Sequence, residues 1–124
     1  MKLTRTIAAL ALAASVSLGV TACTAAPASE TISVSAETVI IDVRTADEFD
    51  SGHLEGAINL DVQSASFDAL AAQLPTDGDY VVYCRSGNRS AAAIERLQAL
   101  GFTSLTNAGG LDAAATATGL DIVR

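Results

Sequence analysis

Two short runs constrain this chain more than anything else in it. Thr38-Val39-Ile40-Ile41-Asp42-Val43 and Tyr80-Val81-Val82-Tyr83 are β-branched or aromatic and almost wholly apolar. A strand with one wet face alternates apolar and polar residues, whereas a run without alternation is covered on both faces. Each run leads through a short loop into a segment of helical character. Thr45-Ala46-Asp47-Glu48 is a capping box, with Thr as N-cap and Glu three residues on, and Ser51-Gly52 stops that helix. Residues 90–100 set Ala93, Ile94, Leu97 and Leu100 on one helical face, with Gly101 as the stop. Between these units, residues 57–60 fit a short strand, 67–74 a helix ended by Pro75, and Asp77-Gly78 a turn. Beyond Gly101, residues 103–106 fit a last strand, 107–110 a turn and 111–117 a last helix. Strands alternating with helices through short loops predict an α/β domain, a mainly parallel sheet with helices on both faces. In such sheets ligand sites gather beyond the carboxyl ends of the strands, where Asp42-Val43-Arg44 and the segment from Cys84 fall.

The N-terminus has a different character. Lys2 and Arg5 precede an uncharged run, residues 7–20, rich in Ala, Leu and Val. This run is shorter than the roughly 20 residues that span a bilayer as a helix, so it predicts a signal-peptide core. It ends at Val20-Thr21-Ala22-Cys23, which resembles the lipobox of bacterial lipoproteins. That resemblance implies a lipoprotein signal peptide over residues 1–22 and lipidation of Cys23. Multiple acylation supplies the two or more lipid signals that stable anchoring needs. The alternative is an ordinary cleavable signal with an incidental cysteine nearby. Residues 24–31 are small and polar with one proline, and read as a flexible tether. The expectation is an extracytoplasmic domain over residues 32–124, held to the bacterial membrane through its N-terminal lipid only.

Charge and composition exclude several function classes. The chain carries 7 basic and 14 acidic residues, a formal charge of −7, and loss of Lys2 and Arg5 with the leader takes it to −9. With no Lys/Arg-rich stretch, a general nucleic-acid binder is excluded. One His and two Cys are too few for a structural zinc site or an iron–sulfur cluster. If Cys23 carries lipid, Cys84 is the only thiol.

Cys84-Arg85-Ser86-Gly87-Asn88-Arg89-Ser90 joins a buried strand to the start of a helix. A loop curling there points several backbone N–H groups at one spot, and the helix dipole adds positive potential. Gly87 permits the backbone such a nest requires. Arg85 and Arg89 add full positive charges. All of these favour thiolate over thiol and predict a lowered Cys84 pKa. The plain alternative is an inert core cysteine.

This loop and the segments before and after it resemble the rhodanese family of sulfurtransferases. The matching pieces run in order: Ile41-Asp42-Val43-Arg44, Glu48-Phe49, Gly52-His53-Leu54-Glu55-Gly56-Ala57-Ile58-Asn59, the loop, Gly101-Phe102 and Asn107-Ala108-Gly109-Gly110. The resemblance implies a three-layer α/β fold on a five-stranded, mainly parallel sheet, whose initial strand would fall near Ile32–Val34. It implies that Cys84 holds a sulfane sulfur as a persulfide, without metal or organic cofactor. The donor would be a small anion such as thiosulfate, and the acceptor cyanide or a thiol, including a thiol protein, met by a monomeric domain. Arg85 and Arg89 would attract the donor, and Asp42 and Arg44 would brace the loop through a carboxylate–guanidinium contact. His53 matches a structural turn rather than a partner for Cys84. The family carries an aromatic, typically Trp, soon after the Gly-Gly pair, where Leu111-Asp112-Ala113-Ala114-Ala115 stand here. Two other readings are a non-catalytic sulfur-carrier or protein-binding module, and a Cys-dependent phosphatase or arsenate reductase. Tyrosine phosphatases place one residue more between Cys and Arg than the four here, Arg85 to Asn88, and a shorter loop suits one sulfur better than phosphate.

Overall fold

A computed structural model describes residues 30–124. The expected leader, Cys23 and most of the tether lie outside the described residues. The chain order is β1 (Thr38–Asp42), α1 (Ala46–Ser51), β2 (His53–Leu54), β3 (Ile58–Asn59), α2 (Phe67–Ala71), β4 (Asp79–Cys84), α3 (Asn88–Ala99), β5 (Ser104–Gly110), α4 (Leu111–Thr118) and β6 (Ile122–Val123). Strands β3, β1, β4 and β5 form one parallel sheet in that order, and β2 pairs antiparallel with β6.

The two runs without alternation occupy the centre of the sheet, and side-chain period explains the two cores they separate. Ile41 and Val43 from β1 and its end join Tyr80, Val82 and Cys84 from β4 under Phe67 and Ala71 of α2 and Ala93 and Leu97 of α3. Ile40, Val81 and Tyr83 face the other way, under Leu54, Ala108 and Ala114. Helices thus cover both faces. After Gly110, where this sequence departs from the resembled pattern by lacking an aromatic, Ala114 is fully buried and Leu111 and Ala115 pack beside it. Small side chains seat α4 against the sheet.

The main sheet has four strands, not five. The segment near Ile32–Val34 is not a strand: the Ile32 N–H donates to the Ala117 carbonyl at 2.8 Å, and its side chains pack beside the second core. That bond ties the segment to the end of α4 and not to a sheet edge. A second correction concerns β5, which runs on through residues 107–110 instead of turning. Asn and Gly there accommodate a β-bulge opposite Val82 and Tyr83, with Ala108 turned inward. Helix α2 ends at Ala71, short of the expected Leu74, and α3 starts two residues early, at Asn88. Among the described residues no helix is long and apolar enough to cross a membrane.

Candidate active site

β4 ends at Cys84, beside the last residue of β5, Gly110. The chain then turns through Arg85 and Ser86 into α3, whose N-cap Gly87 sits at φ 99°, a left-handed value that a side chain makes costly. The turn folds over the sulfur. Cys84 is 0% exposed, and its Sγ accepts the Gly87 N–H at 2.9 Å and lies 3.5 Å from Ser90 Oγ. Burial by itself pushes the thiol up. The Ser90 hydroxyl and the N–H groups of Ser90, Ser86 and Gly87 more than reverse this, leaving Cys84 below its ordinary value. The expected nest is present, and its leading contributors are hydrogen bonds.

The two loop arginines differ in surroundings. Arg89 makes a two-pronged ion pair with Glu48, each bond 2.8 Å. The Glu48 carboxylate is already aimed by the capping box, accepting the Thr45 N–H at 3.0 Å while Thr45 Oγ1 accepts the Glu48 N–H at 3.3 Å. Helix α1 buries none of its residues, so its tie to the site is this carboxylate. Arg85 is exposed and has no ion pair among the described residues. With Arg44, Glu48, Ser51, Leu111 and Asp112 it lines a cleft of about 400 Å³. A slightly larger recess, about 440 Å³, lies along β5 and α4 and holds no residue of the thiol loop, whereas Arg85 of that loop lines the first cleft; Cys84 itself lines neither. The chemistry of the loop makes the Arg85 cleft the relevant one.

Asp42 and Arg44 pair with each other, Nη2 to Oδ2 at 2.6 Å, both nearly shut from solvent. Arg44 also donates to the Gly52 carbonyl at 2.6 Å and lies over the Tyr83 ring. Asn59 holds the turn by donating to the carbonyls of Asp42 and Arg44. Burial pulls the Arg44 guanidinium down, and Asp42 more than compensates, so its pKa is raised. Their hydrogen bonds reach the turns after β1 and α1, with none to residues 84–90. The carboxylate–guanidinium contact onto the loop is made by Glu48 and Arg89. His53 stacks on Phe49 at 3.7 Å between ring centres, with Nδ1 2.9 Å from the Phe49 carbonyl oxygen. It stands on β2, hydrogen-bonded within its own turn.

Sequence reasoning missed three contributors. Glu48 was read only as a helix cap and a family match. Asn107 and Gly110 read in the sequence as turn residues and as part of the same family match, with no role at the sulfur. Asn107 Oδ1 lies 2.8 Å from Ser90 Oγ, and a Cβ on Gly110 would overlap the Arg85 carbonyl oxygen.

The Glu48–Arg89 pair carries a pH signature. Its hydrogen bonds to Arg89, and then those to Thr45, hold Glu48 at about 2 against an ordinary 4.5. A carboxylate pKa depressed by folding stabilises the fold above the unfolded value and loses that contribution as pH falls through the folded one. The pair is part-exposed, so solvent screening limits it to about 1 kcal/mol. Denaturant midpoints of wild type and Glu48→Gln are expected to differ constantly above pH 5 and to converge between about 4.5 and 2. A gap unchanged across that window would show that the pair contributes nothing.

Comparisons with known proteins agree with this geometry. Residues 27–117 match the Rhodanese-like domain family. The thiosulfate sulfurtransferase PspE of Escherichia coli is 39% identical over 72 residues, covering 57% of this chain and 68% of that protein. A sulfurtransferase of Allochromatium vinosum is 32% identical over 87 residues, covering 70% of this chain and 79% of that protein. Among solved structures, an E. coli rhodanese with anions superposes with a TM-score of 0.59 at 30% identity, covering 70% of this chain and 98% of that one. With the family match spanning most of the sequence and the thiol loop at the end of β4, this chain belongs to the rhodanese-like domain family.

Proposed function

We propose that the protein is a thiosulfate-type sulfurtransferase in which Cys84 carries the sulfur. The observation that carries this reading is the buried Cys84 sulfur held by the Gly87 N–H at 2.9 Å, with its pKa lowered by surrounding donors. The names of the matched relatives support the same class. The Cys84 thiolate attacks the outer sulfur of thiosulfate, forming a Cys84 S–S bond. The bond from that sulfur to the sulfonate sulfur breaks, and sulfite leaves with the electron pair. Cyanide or a thiolate then attacks the terminal sulfur, giving thiocyanate or a new persulfide and restoring the Cys84 thiolate. Two half-reactions through one covalent intermediate give ping-pong kinetics. A thiol held below its ordinary pKa gives up its proton more readily, which lessens the need for a base.

Arg85, exposed at the cleft, meets the anionic donor. Arg89, engaged with Glu48, fixes the first turn of α3 and with it the N–H groups around the sulfur. Asp42 and Arg44 hold the cleft wall. On the export reading, the lipid on Cys23 keeps this chemistry outside the cytoplasm. Detergent partition of wild type but not of Cys23→Ser checks that anchor, and equal partition overturns it.

The test of function is intact mass after incubation with thiosulfate, with Cys84→Ser as the blank. Wild type is expected to gain one sulfur and release thiocyanate on addition of cyanide. No gain, or phosphate released from p-nitrophenyl phosphate instead, overturns the reading.

A further inference from the structure

Asn107 stands on β5, outside the thiol loop, and no step of sulfur transfer above uses it. Its Oδ1 accepts the Gly109 N–H at 2.9 Å. That bond fixes the amide's orientation, because a flipped Nδ2 would set donor against donor. Asn107 therefore presents an acceptor to Ser90 Oγ, 2.8 Å away. A second acceptor, the Gly87 carbonyl, lies 2.9 Å from the same hydroxyl, and Cys84 Sγ, which donates to it at 3.5 Å as a thiol, becomes a third acceptor once ionised. A serine hydroxyl has one proton for the three.

While Cys84 is a thiol, its S–H points at Ser90 Oγ and the Ser90 proton rests on an oxygen. Once the thiol proton has left to solvent, the sulfur anion becomes the strongest acceptor of the three, since hydrogen bonds to a charged acceptor are roughly twice as strong. We propose that Asn107 is a positioning residue that competes with Cys84 for the Ser90 proton, releasing it to sulfur only while Sγ carries negative charge. When the sulfane sulfur is bound, the charge moves one atom outward and the Ser90 proton returns to Asn107. Asn107 is exposed on the β5 recess, so water replaces the bond it gives up. The inference rests on the sulfurtransferase reading for its purpose, though its geometry stands without it.

Other charged or titratable groups stand on the loop and on the elements next to it. Arg89 of α3 is bound to Glu48 of α1, Arg85 stands in the loop, Asp42 and Tyr83 lie at the ends of β1 and β4, and Asp112 is on α4. None is hydrogen-bonded to Ser90 Oγ or to Asn107 among the described residues, so the Asn107 effect is separable from theirs.

The test follows the pH dependence of Cys84 alkylation by iodoacetamide, in the full chain with Cys23→Ser so that one thiol remains. Asn107→Ala removes the competitor and is expected to lower the midpoint by about half a unit. Asn107→Asp holds the proton harder and adds charge, raising the midpoint by about one unit or more. In a Ser90→Ala background, Asn107→Ala is expected to leave the midpoint where Ser90→Ala puts it. A midpoint unmoved or raised by Asn107→Ala, or moved equally without Ser90, overturns the proposal. Mass gain from thiosulfate is read on the same variants. Loading retained with the titration pattern absent refutes Asn107 alone, whereas wild type that fails to load refutes the sulfurtransferase reading and leaves the titration to decide Asn107.

Discussion

Gly110→Ala is expected to slow sulfur loading of Cys84 by about a hundredfold or more while the four-stranded sheet stays folded. Gly110 has φ −83° and ψ 168°, extended backbone that any residue adopts. Alanine there incurs no backbone strain. Its Cβ, however, would overlap the Arg85 carbonyl oxygen and lie 3.5 Å from Ser86 Cα. These atoms belong to main chain, so no side-chain rotation relieves the overlap. The strand under Gly110 is anchored by its pairing with β4, which leaves the loop as the element that moves. A shift of about 1 Å there withdraws the N–H groups from the sulfur and misaligns the site, the kind of displacement that costs orders of magnitude in rate. Gly56→Ala is the matched control: Gly56 sits at φ 78° with nothing within 4 Å of an added Cβ. It tests backbone strain without overlap, and loses stability but not loading rate. Single-turnover mass gain and circular dichroism melts measure the two effects. A Gly110→Ala protein that loads within threefold of wild type shows that the loop yields without leaving its sulfur.

What was legible in the sequence, and what was not, divides along chain separation. The central strands were readable because lack of alternation in residues 38–43 and 80–83 reports burial on both faces. The capping box was readable because its two bonds lie within four residues. Cys84 was readable because the strand, the glycine and the start of a helix adjoin it. The Glu48–Arg89 pair joins side chains 41 residues apart, and Glu48 already had a sufficient local role in its own helix. Asn107 and Gly110 carry turn chemistry, and only the pairing of β5 with β4 turns them into the floor of the loop. The β2–β6 pair escaped for the same reason: two residues on each strand leave no period to detect. The expected fifth strand failed in the opposite direction. Ile32 and Val34 have strand-like residues, but the Ile32 N–H is taken by the end of α4.

The second large effect concerns Asp42. Its carboxylate, 0% exposed, accepts the Arg44 backbone N–H at 2.9 Å, Nε at 3.0 Å and Nη2 at 2.6 Å. Asp42→Ala strips Arg44 of these bonds and leaves a guanidinium, 6% exposed at its side chain, with the Gly52 carbonyl and the Tyr83 ring as remaining partners. Removing one member of a buried pair costs about 3–5 kcal/mol, because the other charge stays behind without compensation. Against a typical domain stability of about 5–15 kcal/mol this is a large share. At roughly 4 °C or more per kcal/mol, the melting temperature is expected to fall by at least about 12 °C. The pair itself need not be worth that much, since its own desolvation offsets most of the attraction. Asp42→Ala with Arg44→Met separates the two quantities, and is expected to recover most of the lost stability because no charge is left buried. A double variant that melts no higher than Asp42→Ala would mean that the backbone bond from Arg44 N–H to Asp42, which fixes the turn after β1, carries the cost instead of the ion pair.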